Sequence, residues 1–165
     1  NEIKVIDISS GIPALVDSFE VVYGPGQLIQ NNNQLFAASI YYGWGGYPLA
    51  GMSKIDLTTG EVIKNDYGPT YDYGSDITVI DNQIYRTYKT GIIPLDEELN
   101  IDEEGMIGNY SNVYSMASFH NEYIIFGLSD YSAPDSVVVY NNLTGSEIII
   151  QVGAIPGSFA YYSTK

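Results

Sequence analysis

Apolar and polar residues alternate along most of this chain in short runs, each broken by Asn, Gly, Ser or Thr. A period of two marks half-buried β-strands, and the breaks mark turns. Three segments share one layout, an apolar run, an Asn-containing turn and a second apolar run: QLIQNNNQLFAAS (27–39), DITVIDNQIYRTY (76–88) and SMASFHNEYIIFG (115–127). Their turn residues Asn33, Asn82 and Asn121 supply the backbone angles of a tight reversal, so each segment is expected to be a β-hairpin. A second pattern interleaves with the first in KVIDISSG (4–11), SKIDLTTG (53–60) and VVVYNNLTG (137–145). Each is an alternating strand closed by a polar turn that ends in Gly, where positive φ costs little. GIIPLDEEL (91–99) stands where another copy belongs and is degenerate.

Four strands recurring every 40 to 50 residues or so are the signature of β-propeller blades. The expected fold is therefore all-β, built of four-stranded antiparallel blades, with essentially no helix. The register gives a partial blade at 1–22, full blades at 27–66, 76–102 and 114–151, and a partial blade at 157–165. Leu28, Ile77 and Ala117 are expected on innermost strands, and SFAYYS (158–163) as the first strand of a further blade. The whole is about fifteen strands, an open arc whose unpaired edges folded proteins avoid exposing. The expectation is a segment of a six- to eight-bladed propeller, with the missing blades supplied by the rest of the native chain or by a second chain.

That register sorts the connections onto two ends. The turns at 31–33, 57–60, 81–82, 120–121 and 142–145 are short, polar and free of Tyr and Trp. The opposite connections, YYGWGGYP (41–48), DYGPTYDYGS (66–75), DEEGMIGNYSN (102–112) and LSDYSAPDS (128–136), are long and aromatic. They carry the candidate binding residues Tyr42, Trp44, Tyr47, Tyr67, Tyr71, Tyr73, Tyr110 and Tyr131. Rigid amphipathic rings on loops are efficient contact groups. The competing expectation is that these rings fill gaps between blades. Trp44 is the only Trp, and Trp44→Ala is expected to weaken binding while barely changing the fold.

Composition narrows the function classes. Six Lys and Arg face 20 Asp and Glu, a formal charge of −14 that repels phosphate backbones and anionic membranes. No apolar run is long enough to span a membrane as a helix. The opening NEIKVIDISSG already has the pattern of a strand and a turn, which points to a mature or truncated product. With no Cys and one His, His120 in a short turn, neither a thiolate site nor a histidine-based triad or metal site can be assembled. No catalytic residue, metal or cofactor is assigned. DEELNIDEEG (96–105) is acidic but lacks EF-hand spacing, so a solvated edge is expected. Arg86, the sole Arg, forms with Lys89 the one basic cluster, equally suited to a buried ion pair or an anion anchor.

At KVIDISSG, SKIDLTTGEV and VVVYNNLTG the chain resembles YVTN/YncE-like, quinoprotein-like propeller repeats, whose outer strands close with a hydrophobic-D-x-x-T-G turn. Its acidic surface and Tyr-rich loops are similar to those of bacterial surface propeller lipoproteins that capture siderophores or corrinoids. That resemblance implies an extracytoplasmic, non-enzymatic binding protein with an outer-membrane transporter as partner; it assigns no binding residue. A protein–protein or adhesion module on the same face is the alternative. A lyase or hydrolase using carboxylates and Tyr is the third possibility.

Overall fold

The computed structural model describes residues 1–43, 46–132 and 134–162. Thirteen strands form four antiparallel sheets, and the one helical feature among the described residues is a single 3₁₀ turn at Glu103–Gly105. The strands are β1(Glu2–Asp7), β2(Ala14–Glu20), β3(Pro25–Asn31), β4(Gln34–Tyr41), β5(Leu49–Asp56), β6(Val62–Pro69), β7(Tyr73–Ile80), β8(Gln83–Tyr88), β9(Gly91–Pro94), β10(Val113–Phe119), β11(Tyr123–Leu128), β12(Asp135–Asn141) and β13(Glu147–Val152). In every sheet the strand order is the chain order. The chain divides into two compact units, 1–71 with 97–100, and 72–96 with 101–165.

The first unit holds the two-stranded sheet β1–β2 and the four-stranded sheet β3–β4–β5–β6. β3 alternates in burial, while β4 and β5 are buried on both faces. Small residues at Ala37, Ala38, Ser39, Gly51 and Ser53 make those central strands slim enough to be covered on both sides. Ile3, Val21, Ala37 and Ile55 form the core, with Phe19, Leu35 and Val62 packed on it. A buried polar link adds to this, since Val22 N donates to Ser53 Oγ at 3.0 Å.

The second unit holds the three-stranded sheet β7–β8–β9 and the four-stranded sheet β10–β11–β12–β13. Their first strands meet: the Thr78 and Ser118 hydroxyls are 2.5 Å apart, and Met116 N donates to Asp76 Oδ2 at 2.7 Å. Ile80, Ile92, Met116, Ile124, Phe126 and Val138 form the core between them. Leu28, Ile77 and Ala117 lie on β3, β7 and β10, the first strand of each sheet.

Among the described residues, two expected strands are not formed. The segment 76–102 does not form four strands; after β9 the chain returns only as two bridges, Leu95↔Ile101 and Ile92↔Ile107. Six acidic side chains between 96 and 105 resist being lined up along a strand, and Asp102 instead caps the 3₁₀ turn through Glu104 N. Ile92 and Ile107 still exchange both backbone hydrogen bonds, at 2.9 Å each. A Cβ at Gly91 would collide with the Ile107 carbonyl, so the bridge needs Gly there. The described part of SFAYYS, residues 158–162, forms no strand either. It runs beside its own unit instead: Ser115 donates to the Pro156 carbonyl and Tyr161 packs on Phe119 and His120.

Two of the three Gly-ending turns share one hydrogen-bond scheme; in the first, Asp7 Oδ1 accepts from Ser9 N alone and Gly11 N returns to Ile8 O. Asp56 Oδ1 accepts from Thr58 N and Thr59 N at 2.7 and 2.9 Å, and Gly60 N returns to Asp56 O. Asn141 Oδ1 accepts from Leu143 N and Thr144 N at 2.9 Å each, and Gly145 N returns to Asn141 O. Gly60 and Gly145 have φ of +75° and +71°, which explains the terminal Gly. The Asn141 side chain also donates, from Nδ2 to Glu122 Oε1, whereas that of Asp56 only accepts, so Asp56→Asn should leave the melting temperature nearly unchanged. Asn141→Ala should cost about 1 kcal/mol in urea unfolding, as loss of a side-chain cap does.

Candidate functional site

In-order antiparallel strands alternate their connections between the two ends of a sheet. In each sheet of three or four strands, one end carries the tight turns (32–33, 57–61, 81–82, 120–122, 142–146), without Tyr among the described residues that join the strands. The other end is where tyrosines gather.

In the first unit, Tyr47 of the β4–β5 connection and Tyr71 after β6 meet edge to face, centroids 4.9 Å apart. Thr70 N donates to the Pro48 carbonyl at 2.8 Å and holds the two connections together. Both rings stay largely exposed, and Tyr42 is 75% exposed beside them in sequence. Tyr67 belongs to β6 and is half-buried, its hydroxyl donating to the Leu99 carbonyl at 2.5 Å. Trp44 lies outside the described residues. Tyr23, in the β2–β3 connection, donates to Asp66 at 2.7 Å, and that bond pushes its phenol above the usual range.

In the second unit, Tyr73 opens β7 and Tyr88 closes β8, their rings 5.0 Å apart. Arg86 sits 5.0 Å from the Tyr73 ring and Lys89 4.6 Å from the Tyr88 ring, so cations flank the aromatic pair on both sides. Arg86 is fully buried, with Nε donating to the Gly74 carbonyl at 2.9 Å. Burial pushes the Tyr73 phenol up to about 12. Tyr88 donates to Glu103 at 2.7 Å and Lys89 reaches the same oxygen at 3.3 Å, which together hold the Glu103 carboxyl below its usual range. Tyr110 packs on Phe126 at 4.9 Å and donates to Glu147 at 2.7 Å; burial first, then that bond, push its phenol upward.

Tyr131, in the β11–β12 connection, is 74% exposed. Tyr114, at the start of β10, meets it edge to face at 5.9 Å. An open cleft of about 310 Å³ lies at this end, lined by residues of 111–112, 128–130, 132 and 134–136 and not by Tyr131. Of the nine sequence candidates, Tyr42, Tyr47, Tyr71 and Tyr131 present their rings outward, whereas Tyr67 and Arg86 have polar groups engaged inside the fold and Tyr110 is half-buried with its hydroxyl bound to the exposed Glu147. Tyr114 and Tyr23 were not among the candidates; each sits at a strand edge or short connection that composition alone does not flag.

No protein-family model matches the chain, and no curated protein matches it. No described helix is long and apolar enough to cross a membrane. Among the described residues, no group of three or more His, Asp or Glu is placed to hold a metal ion.

Asp76 gives a pH-dependent test of this end. Burial raises its carboxyl pKa in the fold, only partly offset by the bond from Met116 N. The folded chain therefore holds this proton more tightly than the unfolded chain, and ionisation opposes folding. The loss of stability begins as pH rises through the unfolded value, about 3.9, and is complete above the raised folded value. Asp76→Asn should raise the melting temperature at pH 7, and the gain should vanish in melts taken below about pH 3.5.

Proposed function

We propose that the sheets are blades of a β-propeller segment, and that the protein is an extracytoplasmic, non-enzymatic binding module. Its ligand is a small ring-containing molecule, siderophore- or corrinoid-like, captured by the tyrosines at the ends of the sheets. In-order antiparallel sheets with polar turns at one end support the propeller reading. The observation that carries the binding reading is the pairing of exposed rings, Tyr47 with Tyr71 and Tyr114 with Tyr131, one pair in each unit. Rings left in water yet held against each other are preorganised for a flat partner, each good stacking contact adding about 1 kcal/mol. The single His, His120, lies on the β10–β11 turn, at the end of its sheet opposite Tyr131, which supports a binding role over acid–base catalysis.

Equilibrium dialysis against cyanocobalamin and against a hydroxamate siderophore tests this. At least one should be retained, and Tyr71→Ala or Tyr131→Ala should weaken retention by about 1–3 kcal/mol while leaving the melting temperature in place. Retention of neither ligand, or a variant that unfolds early yet binds normally per folded molecule, contradicts the proposal.

A further inference from the structure

β13 is the outer edge of the β10–β13 sheet, and its isoleucines stand in solvent. Ile148, Ile149 and Ile150 are 65%, 62% and 48% exposed, on both faces of the strand. The register explains them as continuations of interior rows. Met116, Phe126 and Val138, all core residues, lead on to Ile149, and on the opposite face Ile125 and Val139 lead on to Ile148. The apolar rows of the sheet therefore run out through its edge.

Other outer strands end differently. In β3–β6 the row through Ala37 and Ser53 ends at Lys64, and the row through Ser39 and Gly51 ends at Asp66. β2 carries Asp17 and Glu20. Charges on an outer strand deter pairing with a further strand. β13 has no charge and no Pro between 148 and 152, and a run of β-branched residues suits an extended partner. Its backbone is open as well. Asn141 N donates to Ser146 O at 2.8 Å, on the side where β12 and β13 meet. Ladder groups alternate in direction, so those of Ile148 and Ile150 point to β12 and those of Glu147, Ile149 and Gln151 point outward. No described strand takes them.

Two observations choose the partner. A chain charge of −14 opposes contact between copies, yet along 148–152 no charge stands in the way. The one carboxylate of the strand, on Glu147, already accepts from Tyr110 at 2.7 Å. A basic partner would find no acid to pair with along 148–152. The strand is also its own complement. Set antiparallel about a two-fold axis at Ile149, Ile148 meets Ile150 and Glu147 meets Gln151 rather than a second Glu147. That register uses every outward amide and carbonyl of Glu147, Ile149 and Gln151.

We propose that two copies of this chain associate through β13, edge to edge and antiparallel about a two-fold axis at Ile149, joining their β10–β13 sheets into one continuous sheet. The contact runs along the side of a sheet and not across its tyrosine-bearing end, so it stands independently of the ligand reading.

Sedimentation velocity of the full chain between about 1 and 200 µM tests it. The mass should rise with concentration from that of one chain, 18.1 kDa, to that of two and stop there. Ile149→Lys sets two ammonium groups on the axis and should raise the dissociation constant of the dimer at least about tenfold, with the circular dichroism spectrum unchanged. Ile8→Lys, at an exposed Ile outside β13, should leave the dimer intact. In the parent chain, the amides of Ile149 and Gln151 should exchange hydrogen more slowly at the high concentration than at the low one, a readout that needs no variant to fold. A parent chain that stays monomeric up to about 200 µM overturns the proposal. So does a dimer that survives Ile149→Lys in a folded variant, a dimer lost equally in Ile8→Lys, or assembly that continues beyond two chains. Exchange at Ile149 and Gln151 that is independent of concentration overturns it as well.

Discussion

Within each sheet every strand hydrogen-bonds to the strand next to it in sequence, and that constraint organises everything else. Successive reversals must fall at alternate ends of a sheet, so two kinds of connection become two kinds of surface. Short polar turns close one end, where Asp56 and Asn141 use side-chain oxygens to satisfy amides that the ladder leaves unpaired. Longer connections cross the other end, where exposed backbone and bulky rings do not disturb the ladder. The tyrosines can therefore stand in solvent at little cost to the sheets.

The same constraint explains where the pattern breaks. A fourth strand beside β9 would need an extended run between 96 and 105, and that segment carries six carboxylates in ten residues. The chain forms bridges and a 3₁₀ turn instead, and the run acquires a different use. Lys54, otherwise buried, reaches Glu97 Oε2 at 2.9 Å, while Asn65 donates to the Leu99 carbonyl at 3.1 Å. The acidic excursion 97–100 thus packs into the first unit and satisfies polar groups that would be costly to bury alone.

Much of the fold was legible in the sequence because its signals are local. Period-two alternation, the Asn-bearing reversals (where Asn32 rather than Asn33 takes the positive φ, beside Asn82 and Asn121) and Gly60 and Gly145 after the polar turns all act within a few residues. The hairpins and turns they mark are present. The missing strands depended on contacts elsewhere: residues 158–162 pack on β10 and its turn through Tyr161 but join no sheet. The site was legible to the level of which connections hold tyrosines. Sequence could not separate Tyr131, which faces solvent, from Tyr110, whose ring lies on Phe126 and whose hydroxyl is bound by Glu147, 37 residues away. Nor could it pair Tyr114 with Tyr131, or show Arg86 buried against Tyr73, since both contacts join different strands or connections.

What unites the two units is a division of labour among chemically identical side chains. Half-buried tyrosines such as Tyr67 and Tyr110 tie segments of the chain together through their hydroxyls and, for Tyr110, through its ring on Phe126, whereas the exposed ones make no such bond. Urea-unfolding free energies of Tyr42→Ala, Tyr47→Ala, Tyr71→Ala and Tyr131→Ala, set beside Tyr110→Ala, test that division most directly. The account predicts that the four exposed variants stay within about 0.5 kcal/mol of the parent while Tyr110→Ala loses about 3 kcal/mol. Losses of about 2 kcal/mol or more at the exposed positions would make those rings part of the core and contradict it.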